Sequence, residues 1–223
     1  EVVCIFGLMG AGRTELLESL AGRVPAYDGR VFLNGDDLTG KTITERINAG
    51  LALVPEDRQR DGLVQTMSVG ANLSLAHLGN LLKRMFIHTH AENTEINQKI
   101  VDVRVKTSTP KALITSLSGG NQQKVVIGKM LMTKPKAILL DEPTRGIDVG
   151  AKAEVFNLLA EQAKKGLAVL FATSEIGEAL YSSTRIVVMR RGHFVAEFIP
   201  SKTTREQVMA AANEETIKKG RGK

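Results

Sequence analysis

The chain reads LSGGNQQK at residues 117–124 and AILLDEP at residues 137–143. Ser118 is a residue type that commonly precedes the first turn of a helix, and the two glycines after it leave the backbone open to another molecule. The free N–H groups and the dipole of such a helix start attract anions. Taken alone, LSGGNQQK is more typical of an ordinary capped helix after a loop. Its order relative to AILLDEP and to a glycine-rich motif near residue 7 favours an anion site.

The glycine-rich motif follows a predicted strand at residues 2–6. It consists of Gly7, Leu8, Met9, Gly10, Ala11, Gly12, Arg13 and Thr14. Glycines let successive backbone N–H groups point at phosphates, and the hydroxyl of Thr14 is suited to magnesium. Arg13 stands where the phosphate-loop pattern has lysine, and a planar guanidinium is larger than an ammonium and needs forked partners. We therefore expect a phosphate loop with a compromised nucleotide site.

Asp141 and Glu142 stand near the end of AILLDEP. The preceding residues 137–140 are all apolar, as are residues 167–172, which is typical of central parallel strands covered on both faces. Ligands of open α/β sheets bind at the carboxyl ends of such strands. We expect the two carboxylates to line a ligand site there.

Shorter patterns complete the predicted topology. Further strands are expected at residues 30–35, 51–55, 185–189 and 194–199. The last two form a hairpin through Arg191 and Gly192. Between about residues 61 and 115 the pattern is helical, notably at 67–78 and 91–101, which predicts a helical subdomain inserted into the sheet domain. Thr203 and Glu206 have capping-box spacing for a last helix.

Composition narrows the class of protein. With 43% hydrophobic and 24% charged residues, the 223-residue chain can bury a core. No apolar run approaches the roughly 18 residues that a membrane span needs, and the single Cys4 favours a reducing, cytosolic compartment. The net charge of +6 is scattered apart from a basic tail at residues 218–223, and tryptophan is absent. Nucleic-acid binding is therefore the weaker interpretation.

The three motifs, in this order, resemble the nucleotide-binding domain of an ATP-binding cassette (ABC) ATPase. The resemblance implies an α/β fold, with a P-loop NTPase core of ABC type, a central mostly parallel sheet and an inserted helical subdomain. We expect one ABC domain over residues 1–223, divided as follows: RecA-like core at 1–60 and 121–200, helical subdomain with the signature at 61–120, C-terminal helix and basic tail at 201–223. ATP and Mg²⁺ are the implied cofactors.

The resemblance also implies roles for the motif residues. Thr14 and Asp141 would hold Mg²⁺, and Glu142 would polarise the attacking water. Asp148 matches the acidic residue of a loop that crosses the dimer interface. The signature binds the terminal phosphate of an ATP held on a partner domain's phosphate loop, and its residues are Ser118, Gly119, Gly120 and Asn121.

Three positions depart from the family pattern. Arg13 replaces a lysine, Glu56 stands where a glutamine usually follows the third strand, and Ser174 stands where a histidine usually follows the last core strand. A serine cannot stabilise charge on the terminal phosphate as an imidazole can. The implied catalytic positions are Glu142, Ser174 and Glu56, and only the first keeps the residue of the family.

This combination resembles the second, C-terminal cassette of the tandem ATPase subunits of bacterial importers for ribose, galactose, xylose and arabinose. The likeness runs through residues 7–16, 54–63, 117–128 and 139–148. It implies a partner cassette in the N-terminal half of the same polypeptide, membrane permease subunits and, indirectly, a periplasmic sugar-binding protein. The implied location is the cytoplasmic side of the inner membrane. Because the chain opens at Glu1 without an initiator methionine, we also expect a fragment of a longer protein.

Two alternatives remain open. One is a self-sufficient homodimeric ABC ATPase for another solute, which intact Glu142 favours and which Arg13 and Ser174 oppose. The other is a non-transport ABC protein that acts on nucleic acid or the ribosome, which the scattered charge opposes. The sequence does not identify the sugar.

Residues 56–72 are a candidate docking surface. In the family this segment lies where the sheet domain meets the helical insertion, and it receives a short helix of the membrane subunit. Arg58, Arg60 and Asp61 carry charge there. Such charges are more often a solvated rim than a docking site.

Overall fold

The apolar runs of the sequence form the centre of a six-stranded sheet. The computed structural model describes residues 1–25, 28–83, 86–87 and 89–213. The strands are β1 (Val2–Phe6), β2 (Phe32–Leu33), β3 (Asp36–Asp37), β4 (Leu51–Val54), β5 (Leu82–Lys83), β6 (Phe86–Ile87), β7 (Ala137–Asp141), β8 (Ala168–Thr173), β9 (Arg185–Arg190) and β10 (His193–Phe198). The order in the main sheet is β10-β9-β1-β8-β7-β4.

Five of the six strands of the main sheet run parallel. β4 pairs with β7, β7 with β8, β8 with β1 and β1 with β9, all in parallel, and β10 adds an antiparallel edge to β9. The register sets Leu139 beside Leu170 and Cys4 beside Phe171. The predicted apolar strands at 137–140 and 167–172 are thus central, and they place Asp141 at the carboxyl edge of the sheet.

Two tight turns end strands where the sequence contains glycine. Asn34 and Gly35 have φ angles of 51° and 89°, and Arg191 and Gly192 have 48° and 80°. Positive φ at both central positions is the geometry that suits the twist of a two-residue hairpin. The predicted late hairpin is confirmed. The strand predicted at residues 30–35 is shorter than expected, because only two of its residues pair before the Asn-Gly turn.

The α-helices of the described residues are α1 (Arg13–Ala21), α2 (Ile43–Ala49), α3 (Val69–Ser74), α4 (Leu78–Leu81), α5 (Thr89–Asp102), α6 (Gly119–Met132), α7 (Val149–Lys164), α8 (Ile176–Ser182) and α9 (Arg205–Asn213). A π-helical turn spans Arg58–Gly62, and 3-10 turns span Leu75–His77, Ile114–Ser116 and Pro200–Lys202. None of the described helices combines the length and apolarity that crossing a membrane requires. The basic tail at residues 218–223 lies outside the described residues.

Helices cover both faces of the sheet. On one face, Leu17 of α1 packs with Ile5 of β1 and Leu139 of β7. On the other face, Phe171 of β8 belongs to a larger cluster that includes residues of α6, α7 and α8. Cys4 is fully buried in this larger cluster. The sheet is therefore packed between two apolar layers, which hold the ends of its strands in place.

The segment between β4 and α6 forms the predicted helical insertion. Its helix α3 packs closely on α6 at Gly128, where a methyl group would lie 2.8 Å from Leu73 Cδ2. Glycine at this position lets the two helix backbones approach each other. The α/β fold with a mostly parallel sheet and a helical insertion is confirmed, while the exact boundaries of the subdomains remain a prediction.

The last helix, α9, has a different cap from the predicted one. Thr204 N–H donates to Gln207 Oε1 at 2.9 Å, and Gln207 N–H lies 3.4 Å from Thr204 Oγ1. Thr203 instead donates its hydroxyl to the carbonyl oxygen of Ile199 at 2.9 Å. The prediction of a Thr203 and Glu206 box was wrong, because the adjacent pair has the same spacing and Thr203 is used by the preceding turn.

We predict that Leu17→Ala lowers the free energy of unfolding of the 223-residue chain by about 2 to 5 kcal/mol, since Leu17 is fully buried and its loss leaves a cavity. Leu16→Ala is the matched control in the same helix, because Leu16 is only partly buried. Urea denaturation followed by circular dichroism measures both losses. Equal losses would contradict the packing of α1 described above.

Candidate functional site

The phosphate loop, residues 7–14, joins β1 to α1 at the carboxyl edge of the sheet. Gly10 and Gly12 have φ angles of 75° and 96°, a region that side chains disfavour. A methyl group on Gly7 would lie 2.5 Å from the carbonyl oxygen of Met189. Gly12 caps α1 without a side-chain hydrogen bond, so N–H groups of the first turn are available to an anion.

The Arg13 side chain is folded into the phosphate loop and is buried. Its Nη1 donates to the carbonyl oxygen of Gly7, and its Nη2 lies 2.8 Å from Glu142 Oε1. The two side chains of this ion pair are 10% and 12% exposed. The guanidinium therefore binds within the protein at both of its terminal nitrogens.

Glu142 directly follows β7 and has a left-handed backbone, with a φ of 42°. A positive φ at a residue other than glycine stores strain and is frequent at functional sites. Besides Arg13, Oε1 of Glu142 accepts from the backbone N–H of Ser174 at 2.9 Å. Burial raises the pKa of Glu142, and the charge of Arg13 opposes that rise. The carboxylate expected to activate water is thus held by Arg13 and Ser174.

Asp141 and Thr14 lie together beside this ion pair. Asp141 is 3% exposed; burial raises its pKa and a hydrogen bond with Thr14 opposes the rise. Among the described residues, Asp141 Oδ1 has no hydrogen-bond partner. An orphaned carboxylate oxygen next to a hydroxyl fits Mg²⁺, which prefers oxygen ligands. The described residues contain no cluster of three or more His, Cys, Asp or Glu suited to a metal ion.

Glu56 follows β4 and forms an ion pair with Arg145. Arg145 lies a few residues beyond β7, so this pair crosses from one strand end to the next. The carboxylate of Glu56 replaces a neutral amide of the family pattern, and a cation lies beside it. Like Glu142, Glu56 has its charge balanced by an arginine of the same chain.

The signature stretch begins α6 as predicted. Ser118 is the N-cap residue but makes no side-chain cap bond. Its Oγ instead accepts from Asn121 Nδ2 at 3.0 Å, and Asn121 Oδ1 accepts from the backbone N–H of Lys106 at 2.8 Å. Ser118 is exposed. A hydroxyl that accepts a hydrogen bond keeps its own proton free to donate, so Ser118 can still donate to a further acceptor.

Gly120, the second of the two signature glycines, is required by the packing of α6 on α7. A methyl group on Gly120 would lie 2.4 Å from Ala151 Cβ in α7, so this glycine permits helix packing rather than access for a ligand. Asp148 caps α7 by accepting from the N–H of Ala151 at 2.9 Å. The loop that carries Asp148 is therefore packed against the start of α6, beside the signature.

The structure groups the predicted residues into two places. Arg13, Glu142 and Ser174 are joined directly by hydrogen bonds, with Asp141 and Thr14 next to them. A second group comprises the signature residues 118–121 and Asp148, brought together by the contact between α6 and α7.

Sequence reasoning missed a buried polar network behind the first group. Glu178 of α8 is 8% exposed and accepts from Thr144, from Thr173 at 2.7 Å and from Lys152 Nζ at 3.2 Å. The network ties the segment after Glu142, the end of β8 and helix α7 to one carboxylate. No local signal marks Glu178, because a glutamate in a short helix is usually exposed.

Arg58 was also placed differently by the sequence analysis. It does not extend from the surface as a rim charge, because its Nη1 and Nη2 donate to the carbonyl oxygens of Arg145 and Gly146 at 2.7 Å and 3.1 Å. Arg60, in contrast, is exposed and contacts Asp61 at 3.3 Å. Of these charges, Arg60 and Asp61 keep the rim position that was expected.

Comparison with known proteins supplies independent information. A family model described as ABC transporter matches residues 1–145. The xylose import ATP-binding proteins XylG of Pseudomonas syringae pv. tomato and of Brucella abortus are 46% and 44% identical over 213 residues. These alignments cover 95% of this chain but 40% and 42% of the relatives, so the chain spans about two fifths of the length of the curated relatives it matches.

Among solved structures, a nucleotide-free ATP-binding cassette from an ABC transporter matches with a TM-score of 0.82 and 24% identity, covering 96% of this chain and 88% of that chain. At this identity the likeness establishes the fold. The family model covers more than half of the chain and includes the phosphate loop, the signature stretch and Glu142. The chain therefore belongs to the ABC transporter family, as an ATP-binding domain.

Proposed function

We propose that this chain is an ATP-binding cassette of a bacterial sugar importer, which offers its signature to ATP held by a partner cassette and hydrolyses little ATP at its own phosphate loop. One asymmetry carries the proposal. In the chain's own site Arg13 occupies the loop and pairs with Glu142 at 2.8 Å, whereas Ser118 is exposed with its proton available.

The ion pair makes the chain's own site a poor ATPase. A phosphate-loop cation should contact the outer phosphates, but Arg13 is neutralised by Glu142 and bonded to the loop carbonyl of Gly7. A general base should contact water, but Oε1 of Glu142 already accepts two hydrogen bonds and Thr173 Oγ1 lies 3.4 Å from Oε2. ATP that enters this site has to break a buried ion pair, which costs more than an exposed one.

The signature supports a contribution in trans. Backbone N–H groups at the start of the 14-residue helix α6 and the hydroxyl of Ser118 form a site for a phosphate. The curated relatives are long enough to hold a second cassette besides the matched region, since the alignment covers 40% of one of them. We infer that the partner cassette lies in the N-terminal half of the same polypeptide.

The names of the relatives support a pentose or a similar sugar as the transported solute. We infer membrane permease subunits as direct partners, a periplasmic sugar-binding protein as an indirect one, and a location at the cytoplasmic side of the inner membrane. Mg²⁺ accompanies ATP and supplies charge neutralisation at the phosphates. In the chain's own site, Thr14 and Asp141 would hold it, because Asp141 Oδ1 is buried without a partner among the described residues.

We predict that Ser118→Ala reduces ATP hydrolysis of the full-length tandem protein, assembled with its membrane subunits, by about tenfold to a hundredfold, since a charge-assisted hydrogen bond to the partner's ATP is lost. Glu142→Gln should reduce it by less than about threefold, because Glu142 serves only the degenerate site. Steady-state phosphate release measures both.

The control for this ranking is Ser116→Ala, which removes an exposed hydroxyl that donates to Leu113 at 2.7 Å, just before the signature. It should leave hydrolysis unchanged. If Glu142→Gln abolishes hydrolysis while Ser118→Ala leaves it near normal, the chain's own site is the working one. That result would favour a self-sufficient homodimeric ATPase.

We predict that Arg13→Lys raises the affinity of the 223-residue chain for ATP with Mg²⁺ by about tenfold, since the smaller ammonium leaves room in the loop and releases Glu142. Arg104→Lys is the matched control, because Arg104 is an exposed guanidinium that pairs with Glu161 of α7. Titration with a fluorescent ATP analogue measures the dissociation constants. Equal affinity of the Arg13→Lys and unaltered chains would show that the ion pair does not limit binding.

A further inference from the structure

The π-helical turn Arg58–Gly62 follows Glu56 closely and is fixed at its start. Asp57 is its N-cap, and its carboxylate accepts from the N–H groups of Gln59 and Arg60 at 2.9 Å and 3.1 Å. π-Helical turns are rare in proteins, and those that occur are often found at functional sites. The side chain of Arg58, the first residue of the turn, is half-buried and reaches the loop after β7.

The guanidinium of Arg58 binds two consecutive carbonyl groups of that loop. Nη1 donates to Arg145 O at 2.7 Å and Nη2 to Gly146 O at 3.1 Å. The rigid fork of arginine suits two adjacent acceptors, and lysine has no equivalent geometry. Arg58 thereby fixes the backbone two residues before Asp148.

The same guanidinium supports the signature. A methyl group on Gly119 would lie 2.8 Å from Arg58 Nη2 and 3.3 Å from Gly146 O. The backbone at Gly119 therefore rests directly on both the guanidinium and the loop that the guanidinium binds. Glycine at this position is needed for that approach.

Two further hydrogen bonds connect the π-helical turn to the signature helix. Gln59 Nε2 donates to Gln122 Oε1 at 2.6 Å, in the first turn of α6. Lys129, which is 7% exposed, donates from Nζ to Gly62 O at the other end of the turn. These two bonds hold the turn to α6 at Gln122 and at Lys129, about two helical turns apart, and Arg58 lies at the end of α6 that carries Ser118.

Arg58 is retained at an energetic cost. Its Nε is buried without a hydrogen-bond partner among the described residues, and burial lowers its pKa, although a guanidinium stays charged at neutral pH. A buried donor left unpaired is unfavourable. The hydrogen bonds to two carbonyl oxygens and the contact with Gly119 compensate for this cost.

We propose that Arg58 is a positioning residue, which holds the signature start and the loop leading to Asp148 as one rigid surface that is presented to the partner's ATP. The inference rests on the proposed function in trans. Arg58 acts through Ser118 and the adjacent backbone and does not contact the nucleotide itself. Its forked geometry, and not its charge alone, is therefore essential.

The test uses the full-length tandem protein assembled with its membrane subunits. Arg58→Gln should lower kcat for ATP about tenfold with little change in KM, because the partner's phosphate loop still binds ATP. Arg58→Lys should be nearly as low, since an ammonium cannot bridge both carbonyls. Arg205→Gln, which removes an exposed guanidinium of α9, is the matched control and should leave kcat unchanged.

A double-mutant cycle separates positioning from a general structural role. If Arg58 acts through Ser118, the double variant Arg58→Gln with Ser118→Ala loses no more activity than Ser118→Ala alone. Losses that multiply would overturn the proposal, as would unchanged kcat in Arg58→Gln or full activity in Arg58→Lys. Thermal unfolding of each variant shows whether a loss reflects misfolding, and Arg58→Lys is the variant to compare if Arg58→Gln does not fold.

Hydrogen–deuterium exchange of the same proteins gives an outcome that does not depend on the trans model. Arg58→Gln should accelerate exchange at residues 118–120 and 145–148, whereas Arg205→Gln should leave exchange at these residues unchanged. Should Ser118→Ala hydrolyse ATP normally, the proposed function fails, and exchange still decides the role of Arg58. Unaltered exchange in Arg58→Gln would overturn the positioning role.

Discussion

The site depends on one buried interaction, the ion pair between Arg13 and Glu142. It joins the phosphate loop after β1 to the residue after β7, two strands that are separated in the sheet by β8. In a site of low dielectric, a cation and an anion that form such a pair neutralise each other, so their charges act less strongly on a bound substrate. Under the proposed function, this contact occupies the two charged groups that hydrolysis at this site would need.

Two of the three departures of this chain from the family pattern, Arg13 and Glu56, are each paired with an opposite charge. Arg13 is larger than lysine and forms an ion pair with Glu142. Glu56 carries a negative charge that glutamine lacks, and it forms an ion pair with Arg145. Each arginine and its carboxylate lie at the ends of different strands, so each ion pair links two strand ends at the edge of the sheet. The side with the signature shows no such closure: Ser118 accepts one hydrogen bond from Asn121 and stays exposed. This difference between the two sides is the basis of the proposed function.

Much of the fold could be predicted from the sequence, because apolar runs, glycine turns and motif order are local properties. β1, the two central strands and the late hairpin follow from these alone. The capping box was misplaced by one residue, since Thr203 and Thr204 offer the same spacing and only the preceding turn decides between them. The direction of Arg58 depends on Arg145 and Gly146, and the burial of the Glu178 carboxylate depends in part on Thr144; all three partners are more than thirty residues away in sequence. Periodicity carries no information about such contacts.

Cys4 illustrates how burial also decides chemical behaviour. It is the single cysteine of the chain, it is fully buried in β1, and burial raises the pKa of its thiol well above the usual value. A thiol of this kind is neither ionised nor reachable at neutral pH, so reagents that attack thiolates pass it by. Thiol-directed spectroscopic labels would therefore react with a cysteine introduced on the surface and not with Cys4. Cys4 need not be replaced before such labelling.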